Sequence, residues 1–166
     1  MKEKIREYYR AVRLSNAFII VFSTILIVLG VLLYLFYLTP ISFGALTVIF
    51  SFGIFQLALS CYRFLRSFKE YNLAQSKLEE SELNLKTHEL PKLDKRIQHI
   101  NWARKAELMS FVLFFSFCIL AVLLKNQEFL FGSSAVLTLQ IAVMLCYDLI
   151  RQYHIREYIR QLQRLY

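Results

Sequence analysis

Residues 17–62 read AFIIVFSTILIVLGVLLYLFYLTPISFGALTVIFSFGIFQLALSCY, without one Asp, Glu, Lys, Arg or His. A bilayer crossing needs about 20 apolar residues, so this stretch is long enough for two. Thr39-Pro40 is its one turn signal. Thr39 can cap a following helix, and Pro40 suits a first turn, where its missing N–H is not needed. The reading is a hairpin, with one span from Ala17 to Leu38 and the next from Ser42 to Tyr62. Leu108–Leu124 and Phe129–Ile150 repeat the pattern. The third span is the shortest, covering ~26 Å at ~1.5 Å per residue, close to the lower limit for a bilayer.

Working outward, the charge falls on one side of these spans. Of 20 Lys and Arg residues, all but Lys125 lie before the first span, between the second and third, or after the fourth. Short basic segments stay on the cytoplasmic face of a membrane. The expected fold is therefore an all-α integral membrane protein with four transmembrane helices. They form two antiparallel hairpins with helical cytoplasmic extensions, both termini inside, as a single membrane domain. Residues 1–16 are a cytoplasmic amphipathic helix, 17–62 the first hairpin, 63–107 a cytoplasmic helical hairpin, 108–150 the second hairpin and 151–166 a cytoplasmic helix. A hydrophobic share of 57% fits this class. The net charge of +8 is explained by orientation and is no nucleic-acid signal. Residues 1–16 are too charged for a cleavable signal peptide. Cys61, Cys118 and Cys146 read as small buried residues, not as disulfides.

Tyr34, Tyr37 and Phe129 fall near the outer interface, and Tyr9, Tyr62, Trp102 and Tyr147 near the inner one, the depths that amphipathic rings favour. Ile5, Tyr8, Tyr9 and Val12 share a face before the first span. Leu90, Leu93, Ile97 and Ile100 do so in the middle segment, and Ile155, Tyr158, Ile159, Leu162 and Tyr166 after the fourth span. Such faces suit a cytoplasmic four-helix bundle that continues the membrane bundle; solvated extensions are the plainer reading. Pro91 marks a break or the first turn of the returning helix, while Ser76-Lys77-Leu78-Glu79 offers a rival capping box. Cys61-Tyr62 with Arg66 and Cys146-Tyr147 with Arg151 echo each other, either a parallel duplication or a chance match of apolar sequence.

Proton relays and coupled transporters use ionisable residues at membrane depth. None lies near mid-bilayer here. Asp148 sits at the inner end of the fourth span, one turn from Arg151, and reads as a snorkelling or locally paired acid. His88, His99 and His154 are isolated, and no metal spacing, phosphate loop or nucleophile elbow appears. The expectation is a non-enzyme without cofactor or metal.

Two stripes remain. Ser134, Thr138, Ala142 and Cys146 recur every four residues, a helix-packing face that lets backbones approach closely. Gly53, Gln56 and Ser60 form a polar stripe, serving as packing inside one protomer, as a contact between subunits or as the wall of an aqueous path. Ile155, Tyr158, Ile159 and Leu162 are the candidate partner-binding face.

Arg10 to Arg13 ahead of the first hairpin, with Tyr62-x3-Arg66-x4-Tyr71-x2-Ala74 after it, resembles the SLATT group of two-helix membrane effectors in bacterial nucleotide-signalled defence. The resemblance implies an oligomer that breaches the inner membrane. The chain departs from the simplest form in having two hairpins and no recognisable sensor domain, so a partner would supply sensing. The expected function is a non-enzymatic, oligomeric component of the bacterial inner membrane that perturbs the membrane or anchors to it in antiviral defence. The alternatives are an accessory subunit of an inner-membrane complex and an immunity protein against a pore-forming toxin. The expected partners are lipid, further copies and a cytoplasmic protein, without direct nucleic-acid binding.

Overall fold

The computed structural model describes residues 2–37, 39–124 and 127–164. Over them the chain is helical: α1 (Lys2–Phe36), α2 (Pro40–Val48), a π-helical turn (Ile49–Gly53), α3 (Ile54–Glu80), α4 (Glu82–Leu123) and α5 (Glu128–Gln163). Because α2, the π turn and α3 follow without a break, the described residues make four long helices. Each is long and apolar enough to cross a membrane. Leu38, Lys125 and Tyr166 lie outside the described residues. They were the end of the first span, the lone basic residue between the last two spans and the end of the C-terminal apolar face.

The first turn forms as its sequence implies. Thr39 is extended (φ −105°, ψ 157°) and caps α2, with Pro40 in the first turn. Its hydroxyl accepts from the Ser42 amide at 3.2 Å, and the Ser42 hydroxyl accepts from the Thr39 amide at 2.9 Å. This reciprocal pair satisfies two N–H groups that a helix start otherwise leaves bare.

The second turn differs from expectation. Pro91 lies inside α4 and neither breaks nor starts it. An internal proline forfeits one hydrogen bond and crowds the preceding turn, at about 3 kcal/mol. Leu85 and Leu93, both fully buried on either side of it, hold the helix together. Ser81 makes the link from α3 to α4 alone. It is extended (φ −171°, ψ 155°), and its hydroxyl accepts from the Asn84 amide. The rival box at Ser76 does not form either, since its hydroxyl donates to the Leu73 carbonyl instead.

Each rod runs from an apolar half into a charged half. At ~1.5 Å per residue, α4 with 42 residues is ~63 Å long. The charged halves pack into the four-helix bundle that the apolar faces suggested. Ile5, Tyr8 and Tyr9 of α1, Ala74 of α3, Leu85, Leu93 and Ile100 of α4, and Ile155, Tyr158 and Leu162 of α5 form one buried core. Tyr9 therefore belongs to this core. The apolar windows are buried unevenly: 44% in the rod from α2 to α3 and 22% in α1, against 17% in α5 and 6% in α4. An apolar surface left open in this way needs lipid or a further helix against it.

Candidate functional site

Two polar clusters stand out, one in each half. The first is a groove of about 420 Å³ where α3, α4 and α5 diverge. Gln56 reaches it from α3, Glu107 and Ser110 from α4, and Gln140 and Met144 from α5, among Phe52, Phe55 and Phe114. Gln56 is buried, and its amide donates to the Met144 sulfur at 3.1 Å. Sulfur is a weak acceptor, so this bond is a poor exchange for water. Gln140 Nε2 and Glu107 Oε2 are buried with no hydrogen-bond partner among the described residues.

Gly53, Gln56 and Ser60 are all buried, so the polar stripe faces inward. The π turn Ile49–Gly53, where the hydrogen-bond register widens by one residue, ends three positions before Gln56. Such a turn rotates the following side chains relative to a continuous α-helix. Gln140 and Glu107 escaped the sequence reading. Gln140 lies off the four-residue stripe, and Glu107 sits at the edge of its span.

The small-residue stripe divides along α5. Ser134 is buried, and its hydroxyl donates to the Leu130 carbonyl at 2.7 Å. Thr138 is half-buried and bonds back to Ser134. Ala142 and Cys146 instead line an open cleft of about 470 Å³ beside Leu14 and Phe18 of α1. Cys146 is exposed, Cys61 and Cys118 are half-buried, and all three are free thiols. A close helix approach lies elsewhere, between α2 and α5. A Cβ on Gly132 would overlap the Ile41 carbonyl oxygen, and one on Gly44 would overlap that of Phe129.

The second cluster fills the charged half. Glu70 on α3 takes Arg96 of α4 at 2.6 Å and Arg66 at 3.0 Å. Burial works to raise the Glu70 pKa, but the hydrogen bond and charge of Arg96, with Lys92 and Arg66, outweigh it and hold the carboxyl below its ordinary value. Glu89 is 1% exposed and accepts from the Tyr9 hydroxyl at 3.2 Å, with Lys92 at 3.5 Å. Tyr8 stacks on Tyr158 at 4.2 Å. Burial, then the Glu89 charge, raises the pKa of both Tyr9 and Tyr158, so these phenols stay neutral.

Ile155, Tyr158 and Leu162 lie in this core, with Ile159 packed against it. The face read as partner-binding is thus covered by the chain's own α1, α3 and α4. Between the halves, Tyr147 is buried and donates to Asn16 Oδ1 at 2.8 Å. Gln152 ties α5 to α4 through Asn101 at 2.6 Å and Arg104 at 2.9 Å. Asp148 is buried and does not snorkel. Arg151, Arg63 and Arg104 act on it, yet it forms no ion pair with them. Among the described residues, no group of three or more His, Cys, Asp and Glu is placed to hold a metal.

No protein-family model, no curated protein and no solved structure matches the chain.

Proposed function

We propose that the chain is a non-enzymatic component of the bacterial inner membrane that assembles with further copies and perturbs the bilayer. It crosses four times as two antiparallel hairpins, with its termini and residues 63–107 in the cytoplasm. The observation that carries this reading is the groove around Gln56. An unpartnered buried amide in hydrocarbon costs several kcal/mol. Gln140 Nε2 and Glu107 Oε2 have no hydrogen-bond partner among the described residues. Water or a second copy would satisfy them, and each brings a polar path into an otherwise apolar region. The rods are continuous from the packed bundle into this loose half, so a change at the cytoplasmic end has a stiff route to the groove. The resemblance to SLATT effectors suggests antiviral defence as the setting, with a cytoplasmic partner supplying the stimulus.

Orientation and activity are tested separately. Reporter fusions at Thr39 and Gln127 are expected to read outside, and those at Lys86 and Tyr166 inside, because the basic residues hold the segments bearing Lys86 and Tyr166 in the cytoplasm. An outside signal at Lys86 would sink the orientation.

For activity, the full chain in dye-loaded liposomes is expected to release dye in a density-dependent way. Gln56→Leu should cut release about tenfold at equal protein incorporation, since it removes the groove's central donor and acceptor. Silence of the wild-type chain at every density rejects perturbation and leaves anchoring. Leak that merely follows the amount of folded Gln56→Leu protein makes the glutamine packing glue.

A further inference from the structure

We propose that the cavity at the junction of the two halves binds a phosphate group, and that the phosphodiester of an anionic lipid headgroup is its occupant. The cavity holds about 200 Å³ and draws on all four rods, with Arg63 and Arg66 from α3, Arg96 from α4, Arg151 from α5 and Asn16 from α1. Four arginines against the one carboxylate of Glu70 leave the lining at +3 (4 − 1).

These arginines are not equivalent. Arg66 and Arg96 are engaged by Glu70. Arg63 and Arg151 form no ion pair among the described residues. The Asp148 carboxylate acts on both by its charge without forming an ion pair with either. Two arginines that line one space without an ion pair leave positive charge there for an entering anion to meet. The planar guanidinium matches phosphate in a two-point grip.

Size and position narrow the occupant. The space is smaller than the roughly 300 Å³ at which sites for whole drug-sized ligands begin, so it suits a headgroup and not an entire nucleotide. Arg63 and Arg151 directly follow the ends of the second and fourth apolar runs, with Asn16 directly before the first. Leu59 and Tyr62 complete that end of the cavity with apolar surface. In the orientation proposed above, that is the headgroup level of the inner leaflet, where basic pockets between helices hold anionic lipid. The lipid assignment rests on that orientation; the phosphate chemistry does not.

The test uses the full chain purified in neutral detergent. Thermal stabilisation is titrated with phosphatidylglycerol, with inorganic phosphate and with glycerol phosphate. Phosphatidylglycerol is expected to stabilise the wild type saturably. Arg63→Gln and Arg151→Gln should each weaken its apparent affinity about tenfold or more, as expected for losing a charge-assisted hydrogen bond. Arg10→Gln with Arg156→Gln, two exposed arginines outside the cavity, should leave affinity unchanged. Equal loss in this control pair, or wild-type affinity in the Arg63/Arg151 double variant, overturns the site.

If the double glutamine variant does not fold, Arg63→Lys with Arg151→Lys carries the test. It keeps the charge but loses the two-point grip, so wild-type affinity there also overturns the proposal. Equal affinity for inorganic phosphate or glycerol phosphate overturns the lipid assignment, and no stabilisation by any of the three overturns phosphate binding. Because these measurements need no bilayer leak, they fail or succeed independently of the perturbing role.

Discussion

Gly132→Ala is expected to lower the melting temperature of the full chain in detergent more than alanine at Gly30 or Gly53 does. The added Cβ would overlap the Ile41 carbonyl oxygen on α2. Backbone cannot swing aside as a side chain does, so α2 and α5 must separate. Overpacking in a fitted contact costs about 1–3 kcal/mol, and a clash with backbone belongs at the upper end. Gly44→Ala should match it, because the Phe129 carbonyl approaches Gly44 in the reciprocal contact.

Gly30→Ala should cost less, since the obstacle is the Ile49 side chain at 2.9 Å. At Gly53 a Cβ would meet only Ile27 at 3.4 Å, an ordinary contact. Alanine there should be neutral or slightly stabilising, as alanine exceeds glycine in helix propensity by up to about 1 kcal/mol. The order Gly132 and Gly44, then Gly30, then Gly53 is the content of the prediction. Equal melting temperatures across the four variants would show that α2 and α5 do not approach as described.

This glycine pair also shows where sequence stops being informative. The apolar runs, the Thr39-Pro40 turn and the bundle-forming faces were legible because each is local: a length, a cap or a three-to-four-residue period. The α2–α5 contact joins Gly44 to Phe129, and nothing near either residue announces the other. The same holds for the Tyr147–Asn16 bond and for Gln140 beside Gln56. The π turn at Ile49–Gly53 was invisible because a one-residue widening of hydrogen-bond register has no compositional mark. Pro91 misled for a different reason. Its local cost is real, but the burial of Leu85 and Leu93 outweighs it, and Ser81 turns the chain instead.

Periodicity identifies an apolar face without saying what covers it. That ambiguity is why the face of Ile155, Tyr158, Ile159 and Leu162 read as a partner surface. It is also why the burial of Tyr9 and Tyr147 was not legible. The small-residue stripe shows the same limit within one helix: Ser134 is buried against its neighbours while Cys146, at the same period, is exposed.

Tyr158→Ala is the sharpest test of the bundle itself. Tyr158 is 2% exposed and stacks on Tyr8 at 4.2 Å, so truncation removes a ring from the centre of the core. Loss of a buried aromatic costs about 3–5 kcal/mol, enough to unfold a bundle of this size locally. The expected result is rapid proteolysis within residues 151–163 and at the Ser81 link, with the apolar halves still membrane-bound. Tyr158→Phe separates the ring from its hydroxyl. That hydroxyl is buried without a hydrogen-bond partner among the described residues, so removing it should leave stability unchanged or raise it by about 1 kcal/mol. A destabilised phenylalanine variant would mean that the hydroxyl has a partner in the folded protein. Protease resistance in the alanine variant would mean that the C-terminal face is not spent on the bundle, and would return it to use as a docking surface for another protein.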